Sequence, residues 1–104
     1  TLPDRKRLEV ARALATDAKL LLLDEVMAGL RPSETDRMVA ILTKLNRDTG
    51  LTILLIEHVM RAVMALAAEV VVVSYGEKIA EGTPLEITRH QDVLDVYLGE
   101  QEEL

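Results

Sequence analysis

The residues best placed to do chemistry in this 104-residue chain are Asp24 and Glu25, which follow four consecutive leucines, Leu20 to Leu23. With Lys19 before it, the run reads as a strand buried on both faces, in the middle of a sheet covered by helices. Open α/β sheets place ligands at the C-terminal ends of their strands, where these acids emerge. An apolar strand ending in Asp-Glu has the form of a Walker B segment. In that reading Asp24 holds the Mg²⁺ of a bound nucleotide, mostly through water, and Glu25 polarises an attacking water. The same seven residues also describe a buried strand ending in two solvated acids, so the pattern depends on its company.

That company is a second apolar run, Leu51 to Ile56, which ends in Glu57-His58. Between the runs, Met38, Ile41, Leu42 and Leu45 fall at i, i+3, i+4 and i+7, the stripe of an amphipathic helix. Pro32 stands near its first turn, Arg31 or Ser33 at its cap, and Gly50 closes it as a C′ residue. Strand, helix and strand make a βαβ unit with a right-handed crossover, so the two strands run parallel. They deliver Glu25 and His58 to the same sheet edge. A lone histidine at a strand end is more often structural; one spaced after a Walker B strand favours a switch role.

The remaining elements surround this unit. Asp4 is the expected N-cap of a helix through Ala15, with Leu8, Ala11 and Ala15 on one face and Arg5, Lys6, Arg7 and Arg12 on the solvated remainder. Val26 to Pro32 is a connection in which Gly29 is free to take positive φ. A third helix covers Val59 to Ala68, with Met60, Val63, Met64 and Ala67 expected in the core. Val70 to Val73 is a third strand, turned by Tyr75-Gly76-Glu77 into the short strand Lys78 to Glu81. Thr83-Pro84-Leu85-Glu86 has capping-box spacing and opens a short helix. Asp92 to Leu98 makes the last helix, stopped by Gly99, with Glu100, Glu102 and Glu103 as a solvated tail and His90 in a surface loop. The fold class is α/β, a mostly parallel sheet with flanking helices.

Composition bounds the alternatives. At this length one domain with a modest core is expected, built from Leu, Val, Ile, Ala and Met because the chain has only two aromatics. Without cysteine there is no disulfide framework and no thiolate metal site, and a reducing cytoplasm fits. The apolar runs are far too short to span a membrane. A formal net charge of −6 argues against nucleic acid as a partner.

Taken together, Leu2-Pro3 with Arg7 to Ala15, Leu21 to Glu25, Ala28-Gly29-Leu30-Arg31-Pro32, Leu54 to His58 and Glu81-Gly82-Thr83-Pro84 stand in a familiar order. The chain resembles the C-terminal part of an ABC transporter ATP-binding subunit. It looks most like the branched-chain amino acid importer group, which ends in a segment similar to Asp95-Val96-Tyr97-Leu98-Gly99. A lipopolysaccharide-export ATPase is the nearest competitor by the same tail. The resemblance implies a partial P-loop NTPase-like fold lacking the phosphate-loop strand. It divides the single domain 1–104 into a signature-helix remnant at 1–15, Walker B to switch histidine at 19–58, and the C-terminal hairpin and helices at 70–98. It also implies roles: Asp24 as the Walker B acid on Mg²⁺, Glu25 as the catalytic glutamate, and His58 as the switch histidine that contacts the γ-phosphate and the attacking water.

The departures from the family pattern carry as much meaning. The signature motif should lie between Leu2 and Arg7, yet Pro3, Asp4, Arg5 and Lys6 stand there without a glycine. The segment is shortened by two residues, and the close backbone approach that a phosphate needs goes with that glycine. Val26 replaces the usual proline after Glu25. In the D-loop, Gly29 and Leu30 are followed by Arg31 where Asp or Asn is usual, at the loss of a good helix cap. No GxxxxGK[ST] loop occurs in the 104 residues, nor do the family's Q-loop glutamine and adenine-stacking aromatic. Most of the phosphate-binding energy is therefore absent from this chain.

These readings set the expectations. ATP and Mg²⁺ belong to the intact family, and the isolated chain is expected to bind neither and to be inactive. The intact family works with transporter membrane subunits, in the cytoplasm and peripheral to the inner membrane. The alternative is a non-catalytic, self-associating or partner-binding domain derived from such an ATPase. In the resembled fold the phosphate-loop strand lies between the strand ending at His58 and Val70–Val73, and another strand flanks Lys19–Asp24. Both are missing here, so the isolated chain should form a homodimer through exposed strand edges.

Overall fold

The computed structural model describes the backbone of residues 1–102 and the side chains of residues 1–96. They divide into two compact units, Thr1–Leu66 and Ala67–Leu104.

The first unit runs α1 (Leu2–Leu14), β1 (Leu20–Asp24), α2 (Pro32–Thr49), β2 (Thr52–Ile56) and α3 (Met60–Leu66). β1 and β2 pair in parallel, from Leu20 opposite Thr52 to Asp24 opposite Ile56, as the βαβ reading requires. α1 begins earlier than expected, because Thr1 and not Asp4 is its N-cap. The Thr1 hydroxyl accepts from the Asp4 N–H at 3.3 Å and donates to Asp4 Oδ2 at 2.6 Å. Pro3 fits the first turn, where its missing N–H leaves no bond unmade. The Thr1 hydroxyl, more than the Arg7 guanidinium, holds the Asp4 carboxyl below the usual value. α2 ends as expected at Gly50, which takes the left-handed conformation at φ +69°.

The strands are covered on one face only, which corrects the expectation of double burial. Leu21 and Leu23 are buried against Val10 of α1, Met38 and Leu42 of α2 and Ala62 of α3, with Val26, Met27 and Leu51 closing the cluster. The period of two sends their neighbours the other way. Leu20 and Leu22 on β1, with Leu54 and Ile56 on β2, are 52–64% exposed. In α3 the inward face is also shifted. Val59, Ala62 and Leu66 meet the cluster, while Met60, Val63, Met64 and Ala67 are half-buried outside it. The small side chain of Ala62, fully buried, lets that face approach. Arg61 Nη2 donates to Asp36 Oδ2 at 2.6 Å and fastens α3 to α2.

The second unit is a hairpin and two helices: β3 (Val70–Ser74), β4 (Glu77–Gly82), α4 (Pro84–Thr88) and α5 (Gln91–Glu102). Tyr75 and Gly76 carry φ of +48° and +79°, the two positive values of a tight hairpin loop that matches the strand twist. Val72 faces Ala80 and Val73 faces Lys78, so Ile79 is the extra residue of a bulge. Ala80, Ile87 and Val93 form a small core with Val70, Val72 and Ile79. Half of the expected capping box forms: the Thr83 hydroxyl accepts from the Glu86 N–H at 3.3 Å, and it donates to Glu86 Oε1 at 3.0 Å where a full box would have that carboxylate accept from the Thr83 N–H.

Two expectations fail in this unit. α5 starts at Gln91, whose amide donates to Asp95 at 2.7 Å, and it continues through Gly99 to Glu102. Glycine permits a left-handed stop without imposing one. The acidic tail's side chains lie outside the described residues. His90 is half-buried where a fully exposed loop residue was expected, and its Nδ1 is buried without a hydrogen-bond partner among the described residues. Among those residues no helix is long and apolar enough to cross a membrane.

Candidate functional site

The candidate site is built by the paired ends of β1 and β2. Asp24 is the last residue of β1 and shares the open face with Leu20 and Leu22. The Glu25 N–H makes one further rung, donating to the Ile56 carbonyl at 2.9 Å, and there the chain turns. Glu25 itself sits at φ +52°, a left-handed conformation that costs a non-glycine residue about 1–2 kcal/mol. Strain of this kind persists where the surroundings hold it, and it clusters at functional sites. The turn is closed by the Ala28 N–H on the Glu25 carbonyl at 3.1 Å and the Leu30 N–H on the Met27 carbonyl at 3.1 Å.

Across the edge, Glu25 Oε1 lies 3.2 Å from His58 Nδ1, both side chains being more than half exposed. A carboxylate and an imidazole in hydrogen-bond contact can together hold and orient a water and accept its proton. The parallel register delivers both residues to this position from points 33 apart in sequence.

Beneath them is a residue that sequence reasoning passed over. The Glu57 side chain is fully buried. Its Oε2 accepts from the Met27 N–H at 3.3 Å, and its Oε1 accepts from the N–H groups of His58 and Val59 at 3.1 and 3.4 Å. Backbone donors on both oxygens are what a buried carboxylate requires. The alternation of β2 carried the signal: Ile53 and Leu55 point at the core, so Glu57, two residues on, points the same way.

The remaining candidates are brought together elsewhere in the first unit. Gly29 takes φ +78°, as its type allows, and a Cβ there would come within 2.9 Å of Leu2 Cδ2. The D-loop and the signature remnant are therefore in contact. Pro3, Asp4 and Arg5 lie in the first turn of α1, and Leu30 packs against the core. Arg31 does cap α2, by a route its side chain did not suggest: its N–H donates to Glu34 Oε2 at 2.9 Å. An open cleft of about 460 Å³ lies here, lined by Leu2, Asp4, Arg7, Gly29, Arg31 and Arg37 among others; Asp24, Glu25 and His58 are not part of it.

The donor set can be tested against a metal. Among the described residues no group of three or more His, Asp or Glu could enclose an ion. Mg²⁺ asks less, since it keeps most of its waters and takes one or two carboxylates beside its phosphates. Asp24, exposed at a strand end, fits that demand. The phosphates are another matter, because no glycine-rich loop is present to cradle them.

Comparison with known proteins places the sequence and the fold beside ATP-binding proteins of ABC transporters. Residues 77–103 match the family of branched-chain amino acid ATP-binding cassette transporters. The high-affinity branched-chain amino acid transport ATP-binding protein BraF of Pseudomonas aeruginosa is 45% identical over 96 residues, covering 92% of this chain and 38% of the relative. LivG of Escherichia coli, described in the same words, is 43% identical over 97 residues, covering 93% of this chain and 38% of its own length. The lipopolysaccharide export system ATP-binding protein LptB of Escherichia coli is also 43% identical over 97 residues, with 93% and 40% covered. A crystal structure of an ATP-binding cassette of an ABC transporter in its ADP conformation superposes with a TM-score of 0.84 at 29% identity, covering 93% of this chain and 39% of that one. The chain thus spans about two fifths of the length of the relatives it matches.

Strand pairing, superposition and matched sequence define the class: the fold is that of an ABC ATPase cassette, α/β with no phosphate-loop strand among the described residues, and over 93% of its length the chain is similar to the C-terminal part of ABC transporter ATP-binding proteins. Within that class it is similar to the ATP-binding proteins of branched-chain amino acid transport.

Proposed function

We propose that this chain supplies the water-activating half of an ATP-hydrolysing site in an ABC importer of the branched-chain amino acid type. The observation that carries the reading is the 3.2 Å approach of Glu25 Oε1 to His58 Nδ1 at the common C-terminal edge of β1 and β2. Glu25 takes the proton of the water that attacks the γ-phosphorus, and His58 orients that water and touches the γ-phosphate. Asp24 would hold Mg²⁺ through water; bound there, the ion neutralises phosphate charge. The D-loop residues Gly29, Leu30 and Arg31 and the signature remnant Leu2 to Arg5 form the adjoining surface, the natural place for a second ATP-binding domain. An importer of this kind works in the cytoplasm, against membrane subunits.

By itself the chain neither binds nor hydrolyses ATP appreciably, because it has no phosphate cradle. Calorimetry with Mg-ATP tests this. No binding tighter than about 1 mM is expected for the chain alone, with recovery when it is joined to the phosphate-loop segment of the Pseudomonas relative. Submillimolar binding by the chain alone contradicts the reading.

A second reading, a self-associating domain, is favoured by the uncovered face of β1 and β2. Leu20, Leu22, Leu54 and Ile56 line it, and among the described residues each strand keeps one unpaired edge. A two-fold homodimer joined there is expected of the isolated chain. Sedimentation at micromolar concentration decides it, and a clean monomer contradicts it.

A further inference from the structure

We propose that Glu57 is the positioning residue of this site: one buried carboxylate ties the turn after β1 to the turn after β2 and so sets the Glu25–His58 approach. The inference rests on the hydrolytic reading above for its consequence, but not for its geometry. Oε2 holds the Met27 N–H, two residues beyond Glu25, while Oε1 holds the N–H of His58 itself and of Val59. Glu25 stands in a left-handed conformation that its own preferences oppose, so something outside it must hold the turn. The Glu57–Met27 bond is a buried side-chain tie from the end of β2 to that turn, beside the exposed contact of His58 with Glu25. His58 lies with Nδ1 3.8 Å from Glu57 Oε1 and 3.2 Å from Glu25 Oε1, so the imidazole leans on both carboxylates.

A carboxylate is the group this position needs. Both oxygens receive donors, and a glutamine would aim its NH₂ at one of those N–H groups. Aspartate keeps two acceptor oxygens but is one methylene shorter. It can still cap His58 and Val59 locally, as short acids do, but it falls short of Met27. Glu57→Asp therefore cuts the bridge at one end only, and Glu57→Gln disturbs one end or the other.

The test reads the full chain by NMR. In Glu57→Asp the Met27 amide should exchange at least about tenfold faster, while amides of the α2 core, such as that of Leu42, keep their wild-type rates. The ¹⁵N signal of His58 Nδ1 should move toward its position in Glu25→Gln, because the hydrogen bond to Glu25 is weakened in both. Glu57→Gln should move the same signal, and it guards against an aspartate that reaches further than its length suggests. Met27 exchange and the Nδ1 signal both staying at wild type overturns the proposal. So does uniform acceleration of all core amides, which would make Glu57 a stabilising residue and no more. With the phosphate-loop segment supplied, Glu57→Asp should lower kcat about 10- to 100-fold at unchanged KM for ATP, the scale of an ångström-sized misplacement. If Glu25→Gln abolishes turnover and Glu57→Asp does not reduce it, the positioning role is wrong. If Glu25→Gln is itself inert, the hydrolytic reading fails, and the exchange and Nδ1 results alone judge Glu57.

Discussion

Replacing Glu25 by glycine should make the chain more stable than replacing it by alanine, the reverse of the ordinary order. At most positions glycine loses about 0.5–1 kcal/mol to alanine, because it gives up more backbone freedom on folding. Glu25 is held at φ +52°, where any residue with a Cβ carries about 1–2 kcal/mol of strain. Subtracting the entropic loss from the relieved strain leaves glycine ahead by about 0.75 kcal/mol at the middle of both ranges. Both variants lose the exposed Glu25–His58 contact, so that term cancels. For a unit of this size the gap corresponds to a few degrees in Tm, at about 4–8 °C per kcal/mol. Urea denaturation followed by far-UV circular dichroism is the assay. Tyrosine fluorescence would not serve, since Tyr75 and Tyr97 both belong to the second unit. An alanine variant as stable as the glycine variant, or more so, would refute the strained turn. The glycine variant should also be inactive in a completed ATPase, a site made stable at the expense of its base.

Two further outcomes follow from the packing and the cap. Leu42 is fully buried between α2 and β1, so Leu42→Ala should cost about 2–5 kcal/mol in the same denaturation assay; a loss under about 1 kcal/mol would mean the core is placed wrongly. The Thr1 hydroxyl lowers the Asp4 carboxyl, so its support of α1 is complete above the ordinary aspartate value of about 3.9 and fades as pH falls through the lower folded value. Protection of the α1 amides against exchange, taken relative to the intrinsic rate at each pH, should fall over that acid range, and less so in Thr1→Ala; protection that stays constant or grows on acidification would contradict the cap.

How far the chain could be read in advance depended on which physical signal each residue carried. The βαβ unit was legible because Leu20–Leu23, the Met38–Leu45 stripe, Gly50 and Leu51–Ile56 each point to one local structure, and together they fix a parallel pair. From that pair alone the meeting of Glu25 with His58 follows. An apolar run does not say how many of its faces are covered, so the exposure of Leu22 and Ile56 was not legible. Likewise the inward face of α3 rests on the small Ala62, while its methionines drew the eye to a neighbouring stripe. Glu57 was hidden by its charge: a glutamate at a strand end reads as solvated, although the alternation from Ile53 and Leu55 already turned it inward. Thr1 displaced Asp4 as cap because either side chain can serve, and only the backbone decides between them.

The measurement that bears most directly on the central claim is ATP turnover by Glu25→Gln in an ATP-binding domain completed with the phosphate-loop segment of the Pseudomonas relative. Glutamine keeps the size of the side chain and its place beside His58, and removes only the proton acceptor. Turnover should fall by about 10²- to 10⁴-fold while Mg-ATP still binds with affinity close to wild type. A glutamine variant that hydrolyses ATP at the unaltered rate would place the base elsewhere and leave Glu25 and His58 as a structural pair.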